Sequence, residues 1–205
     1  MPRAGLTAER VVRAAADLAD TVGLENVSLS AVARGFGVRD ASLYSHVKNI
    51  NDLRTRIALL AGGELADRMG AAIAGRSGRD ALAAFAHAYR AFARERPGRY
   101  AATQLRVDQA VIAEAPAARR KIETTYAMLR AYGLAEPDLT DAVRLLRSTF
   151  HGFSSLEASG GFGHPRDLDA SFERAIDALH VLLEHWPSAT DPAEPREVTA
   201  RPSKE

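Results

Sequence analysis

The chain has 205 residues, 46% of them hydrophobic, and a formal net charge of +1. It is long enough for one large domain, or a small one beside a larger one, with a sizeable core. The near-zero charge excludes a strong global pull toward nucleic acid, so any such pull must come from a local patch; zero cysteines exclude disulfides, thiol catalysis and cysteine-ligated zinc, and suit a reducing cytoplasm.

No run approaches the roughly 18 apolar residues of a membrane span, so no membrane partner is expected. The first residues also lack the apolar core of a secretory signal. Helical periodicity continues from end to end, without convincing β-alternation, and predicts an all-α fold of about nine helices. Thr7 can cap a first helix with Val11, Ala15, Leu18 and Val22 on one face and Gly23 as its stop. Ser28 can cap a short second helix carrying Leu29, Val32 and Ala33, followed by a turn from Gly35 to Val38. A third short helix is predicted over Arg39 to Val47. Asn49 can cap a fourth, with Asp52 placed as in a capping box and Leu53, Ile57, Leu60 and Leu65 as its stripe.

Ser77 and Asp80 open a fifth helix, with Leu82, Phe85, Tyr89 and Phe92 at helical spacing. Pro97-Gly98 starts a sixth, through about Arg106, and a less regular stretch follows. Pro116 begins a seventh that Gly133 ends, and Pro137 an eighth reaching about Ala158. After a glycine-rich loop at 160–165, Asp167 or Asp169 caps a ninth, with Phe172, Ile176, Leu179, Leu183 and Trp186 on one stripe. Three domains are expected: residues 1–50, residues 51–187, and a disordered tail at 188–205 holding Pro192, Pro195 and Pro202.

Residues 28–53 carry the chemistry. Two short helical patterns flank a Gly37-Val38 turn, and the second ends in Leu43-Tyr44-Ser45-His46. That arrangement suits a helix-turn-helix, which lays one short helix in the major groove of DNA. A core of Val11, Leu18, Leu29, Val32, Val38, Leu43 and Leu53 would leave the outer face of the third helix free. Asp40, Ala41 and Ser42 are candidates for base edges: Asp40 can accept from a cytosine amino group and Ala41 can touch a thymine methyl. Tyr44 and His46 are candidates for phosphates, joined by Ser28, Ser30, Arg39, Ser45 and Lys48. Arg3, Arg10 and Arg13 can also reach the DNA backbone.

On these residues, above all Gly37-Val38 and Leu43-Tyr44-x-His46-x-Lys48-Asn49, the chain resembles the TetR/AcrR family of transcriptional regulators. Phe150-His151-Gly152-Phe153 with Leu156-Glu157 and Gly160-Gly161-Phe162 is similar to that family's WHG type of C-terminal domain. The resemblance implies a three-helix N-terminal DNA-binding domain and a helical C-terminal domain that binds an effector and dimerises. It also implies a near-palindromic operator and, usually, release of DNA by the effector. Three positions depart from the family pattern: Arg39 stands where Ser or Thr is frequent, Val47 where Phe is common, and Ile50 where a Lys would touch phosphate.

The predicted eighth and ninth helices carry more apolar residues than one stripe needs, which suits packing against a second copy. Gly152 inside a helix costs roughly 1 kcal/mol against Ala, and close approach of another helix would explain it. Gly62-Gly63 in the fourth helix suits either bending or close packing. Phe85, Tyr89, Tyr100, Gln104, Tyr126, Met128, Phe150 and His151 are candidate ligand contacts, a mix suited to an apolar or aromatic effector with one or two polar groups. Asp177, His180 and Glu184 share a helical face, but no second ligand set accompanies them, so no metal or other cofactor is expected. His151 and Glu157 could act as acid and base, yet no nucleophile accompanies them, so an enzyme is not expected. The rival reading is a helical carrier or enzyme on the same fold without specific DNA binding.

Overall fold

The structure, a computed structural model, describes residues 6–187. The expected tail and Arg3 lie outside the described residues. Within them run α1 (Ala8–Val22), α2 (Leu29–Phe36), α3 (Ile50–Ile73), α4 (Gly78–Glu95), α5 (Pro97–Ala102), α6 (Gln109–Glu114), α7 (Pro116–Leu129), α8 (Asp138–Ala158) and α9 (Leu168–Glu184). The fold is all-α, as expected. The helix count agrees through two offsetting differences: the predicted third helix is a short 3-10 turn at Asp40–Leu43, and α6 arises in the stretch read as irregular.

Local chemistry explains most of the ends. Thr7 and Ser28 cap α1 and α2, their hydroxyls accepting from the Arg10 and Ala31 amides at 3.2 Å. Gly37 ends α2 at φ 66°, a left-handed conformation that favours glycine. Asn49 caps α3, accepting from Asp52 N–H at 2.9 Å. The Asp52 carboxylate reaches back to Lys48 N–H at 2.8 Å, one residue before the amide a capping box would use. Of the two candidates for α9, Asp167 is the cap, at 2.7 Å from Ala170 N–H. Ser77 makes no side-chain cap bond at α4. The α5 helix stops at Ala102 rather than Arg106, because the Thr103 hydroxyl donates to the Tyr100 carbonyl at 2.7 Å and the following amides tighten to three-residue bonds.

Two cores result. The N-terminal core gathers Val11, Ala15, Val32, Leu43, Val47, Leu53 and Ile57. Val22 and Val38, expected on inward faces, are 41% and 37% exposed; Leu24, Val27 and Val47 close that core instead. The C-terminal core gathers Leu65, Met69, Phe85, Tyr89, Leu146, Phe150, Phe172 and Ile176. The α3 helix belongs to both, giving Leu53 to Ala61 to the first and Leu65 to Met69 to the second. At 24 residues it is about 36 Å long.

A second tie joins the N-terminal unit to the rest. The first turn of α5 lies on the backbone of α1: a Cβ on Gly98 would stand 2.1 Å from the Ala19 carbonyl carbon and oxygen. Beside it, buried Arg99 donates to Asp20, and to Asp17 at 2.8 Å, while Glu64 of α3 lies 2.9 Å away. Burial opposes the guanidinium charge, but the Asp17 and Asp20 hydrogen bonds outweigh it and raise the Arg99 pKa.

The C-terminal unit has its own charged clip. Arg90 of α4 donates twice to Glu157 of α8, at 2.7 and 2.6 Å, and pairs with Asp169 of α9 at 2.7 Å. Its guanidinium carbon lies 4.8 and 5.4 Å from the Phe172 and Phe153 ring centres. The Arg90 hydrogen bonds hold the Glu157 carboxyl below its ordinary 4.5, against the opposing effect of burial. A depressed carboxyl pKa contributes stability above its unfolded value, lost as pH falls through the folded one. Glu157→Gln should therefore cost about 2 kcal/mol at neutral pH. It should also flatten the fall in melting temperature below about pH 5, measurable by thermal melts across an acid series.

Candidate nucleic-acid interface and apolar cavity

The segment from Arg39 to Val47 is helical in outline but too tight for an α-helix. Arg39 makes no side-chain cap bond at its start. The Ser42 amide bonds the Arg39 carbonyl at 2.9 Å and the His46 amide bonds the Leu43 carbonyl at 2.8 Å, both three-residue spans; the four-residue α bond returns only at Val47, 3.0 Å from Leu43. Without a Ser, Thr, Asn or Asp before the first turn, the α start lacks a partner for its free amides. Leu43 and Val47, 0% and 2% exposed, anchor the segment. Of the residues expected to face outward, Arg39, Asp40, Ala41, Ser42, Tyr44, Ser45 and Lys48 are exposed, whereas His46 is half-buried.

Ser28 and Ser30 lie at the exposed start of α2. Ser28 spends its oxygen on the Ala31 amide. The Ser30 hydroxyl donates to the Asp40 carboxylate, which pins the start of the 3-10 turn to α2. This engages the carboxylate assigned above to a cytosine amino group. The Ser45 hydroxyl donates to the Ser42 carbonyl at 2.9 Å. Arg39, Ala41, Ser42, Tyr44 and Lys48 carry the remaining outward chemistry, with Tyr44 59% exposed. Arg10 lies with its guanidinium carbon 5.9 Å from the Phe36 ring centre, and Arg13 pairs with Glu9 at 3.0 Å.

The second feature is an apolar cavity of about 280 Å³ among α3, α4, α7, α8 and the end of α5. Of the residues expected to touch a ligand, it brings together Phe85, Tyr89 and Phe150. Tyr100 and His151 stand behind this wall: the Tyr100 hydroxyl is 3.1 Å from Tyr89 and 2.7 Å from His151 Nδ1. Gln104 bonds Thr103, Tyr126 lies 3.4 Å from Thr140, and Met128 is core. Burial pushes the Tyr89 and Tyr100 phenols up, so both remain protonated near neutral pH.

The wall also contains Gly62, Thr103, Thr125 and Arg147, which residue type did not signal. The α8 spacing could have signalled Arg147, since Val143, Leu146, Arg147 and Phe150 recur at three and four residues and share a face. Among the described residues nothing lies within 4 Å of a Cβ placed on Gly62. Gly62→Ala should therefore stabilise α3 by roughly 0.5–1 kcal/mol while taking cavity volume, a combination readable by urea unfolding beside ligand titration. The Asp177, His180 and Glu184 face is otherwise engaged: Asp177 accepts from Arg79 at 2.6 Å, and His180 Nδ1 lies 3.0 Å from the Tyr132 hydroxyl. Among the described residues no group of three potential ligands could hold a metal ion, and no helix is long and apolar enough to cross a membrane.

Residues 82–179 match the tetracyclin repressor-like C-terminal domain. Over 184 residues the chain is 35% identical to the HTH-type transcriptional regulator YobS of Bacillus subtilis (strain 168), covering 85% of this chain and 91% of YobS. The chain belongs to the TetR family of helix-turn-helix transcriptional regulators. A second relative of this TetR-family regulator, the HTH-type transcriptional repressor DrrR1 of Streptomyces coeruleorubidus, is 32% identical over 146 residues, 71% of this chain and 51% of DrrR1. A TetR variant from Acinetobacter baumannii AYE, solved in complex with minocycline, shares the fold at a TM-score of 0.67 and 24% identity, covering 90% of this chain and all of that one. The matched C-terminal domain spans the charged Arg90–Glu157 clip and most of the cavity wall.

Proposed function

We propose that this regulator is a homodimeric repressor whose grip on its operator weakens when a small molecule enters the apolar cavity. One observation carries the coupling: α5 ends in the cavity wall, through Ala102 and Thr103, and begins against α1, through Gly98 and Arg99. A ligand that displaces the end of α5 must move or strain its seat on the N-terminal unit. It releases DNA to the extent that it binds the shifted arrangement better than the DNA-bound one.

In this reading residues 1–50 form the DNA-binding unit and residues 51–187 the effector-binding and dimerising unit. Arg39, Tyr44, Ser45, His46 and Lys48 face phosphates, with Ser28 and Ser30 at the edge, and Ala41 and Ser42 face base edges. Asp40 orients the turn through Ser30. The name of the DrrR1 relative favours repression. For dimerisation, Leu156, Val181 and Leu182 are 45%, 56% and 39% exposed on α8 and α9. Among the described residues nothing lies within 4 Å of a Cβ placed on Gly152, so a second helix could approach there. Two copies would set half-sites roughly 34–36 Å apart on a near-palindromic operator, in the cytoplasm.

Selection of genomic fragments followed by anisotropy titration tests this. The full chain should retain a near-palindrome and lose affinity steeply with salt. Arg39→Ala should weaken binding across sequences and reduce the salt slope by about one. Equal, weak binding to every duplex would instead favour a helical carrier or enzyme without operator recognition.

A further inference from the structure

The cavity wall is apolar over most of its surface, and Arg147 is the one charged side chain among the described lining residues. Arg144, a neighbour on α8, is paired with Asp141 at 3.2 Å. Arg147 has no carboxylate partner among the described residues. Helix geometry explains why: the residues one turn before and after it are Val143, Arg144, Phe150 and His151, none of them acidic. Burial pushes the Tyr89 and Tyr100 phenols up, and the Arg147 charge opposes that push. Tyr89 and Thr103 are also in the wall.

Resting on the reading of this cavity as the effector site, we infer that the effector is a compact organic acid, an apolar ring or short alkyl body bearing one carboxylate that Arg147 binds. The guanidinium offers paired N–H donors that match a carboxylate. The apolar lining, which includes Met69, Phe85, Leu146 and Phe150, takes the apolar body. A cation finds no counter-charge among the described lining residues and meets Arg147 instead. A neutral molecule gains no charge-assisted contact there. A volume of about 280 Å³ lies at or just below the low end of small-molecule sites, so the body is limited to about one ring with a short chain.

The test is calorimetric titration of the full chain at about pH 7.5 with para-butylbenzoate, para-butylbenzamide and para-butylbenzylammonium; at that pH the carboxyl is ionised. The benzoate should bind about tenfold tighter than the amide, the effect of one charge-assisted contact, and the ammonium should not bind. Arg147→Gln should remove that tenfold advantage and leave amide affinity unchanged, while Arg147→Lys, which keeps the charge but not the paired donors, should keep only part of it. Arg147 is exposed, so these variants should fold as the parent does. Equal binding of benzoate and amide, an unaffected Arg147→Gln variant, or no binding by any of the three overturns the acid class. Gly62→Leu separates that failure from failure of the cavity reading, because its side chain would occupy the open space at Gly62. Benzoate binding that survives Gly62→Leu means the ligand sits elsewhere, and the cavity reading falls with the proposal. Binding abolished by Gly62→Leu but indifferent to Arg147 leaves the cavity standing and removes only the anion.

Discussion

Gly98→Ala should lower the melting temperature by about 6–12 °C. The added methyl carbon would stand 2.1 Å from the carbonyl carbon and oxygen of Ala19 and 2.5 Å from Asp20 N. These are backbone atoms in and at the end of a helix, so no side-chain rotation relieves the overlap. The first turn of α5 must lift off α1. Overpacking of this kind costs about 3 kcal/mol, and each kcal/mol shifts the midpoint by about 2–4 °C in a chain of this length. The functional consequence follows from the same contact. If the seat of α5 on α1 transmits the cavity's state, the variant should hold operator DNA with an affinity that effector no longer changes. A melting temperature within about 2 °C of the parent would mean that α5 is not seated as described.

Arg99→Met should cost about 3–5 kcal/mol, read by urea unfolding, because it strands buried charge rather than because it removes attraction. Arg99 is 4% exposed. Its Asp20 partner has a side chain 10% exposed, and the Arg99 amide donates to the same carboxylate at 2.8 Å. Arg96 at 3.7 Å gives that carboxylate a weaker second cation, which sets the lower end of the range. Arg99→Met combined with Asp20→Leu should recover a substantial part of the loss, since replacing both members of a buried pair by apolar groups avoids the unpaired charge. Losses that simply add in the double variant would rule out a direct coupling between α1 and α5 at this point.

These two sites, which have the largest expected effects, were also the least visible in the sequence. Gly98 reads as the second residue of a Pro-Gly helix start, and Arg99 as one basic residue among 27. Neither carries a periodicity, a cap or a spacing that names its partner. Asp17, Asp20 and Glu64 are brought to Arg99 only by the packing of α1, α3 and α5, from 82, 79 and 35 positions away in the chain. The cavity behaves similarly. Phe85, Tyr89 and Phe150 could be expected from aromatic character on buried faces and Arg147 from its spacing along α8, whereas Gly62 and Thr103 have no such mark and join the wall through the way the helices meet.

Local interactions, by contrast, were open to reading. The caps at Thr7, Ser28, Asn49 and Asp167 and the glycine stops at Gly23, Gly37 and Gly133 need only neighbours within a few positions, so residue type and order suffice. The 3-10 turn at Asp40–Leu43 marks the limit of that approach. Its apolar spacing is that of a helix, but Arg39 leaves its start uncapped and the Ser30–Asp40 bond pins it to α2, so the tighter winding is set by a contact between two elements.

The order of residues therefore determined the all-helical class, most helix ends, the helix-turn-helix unit and the family to which the chain belongs, because each depends on periodicity or on partners a turn away. Tertiary packing decided where α3 passes from one core to the other, which helix joins the cavity to α1, and that Gly62 and Thr103 would close the hollow beside Arg147. Those outcomes depend on distances between segments remote in the chain, which no local pattern encodes.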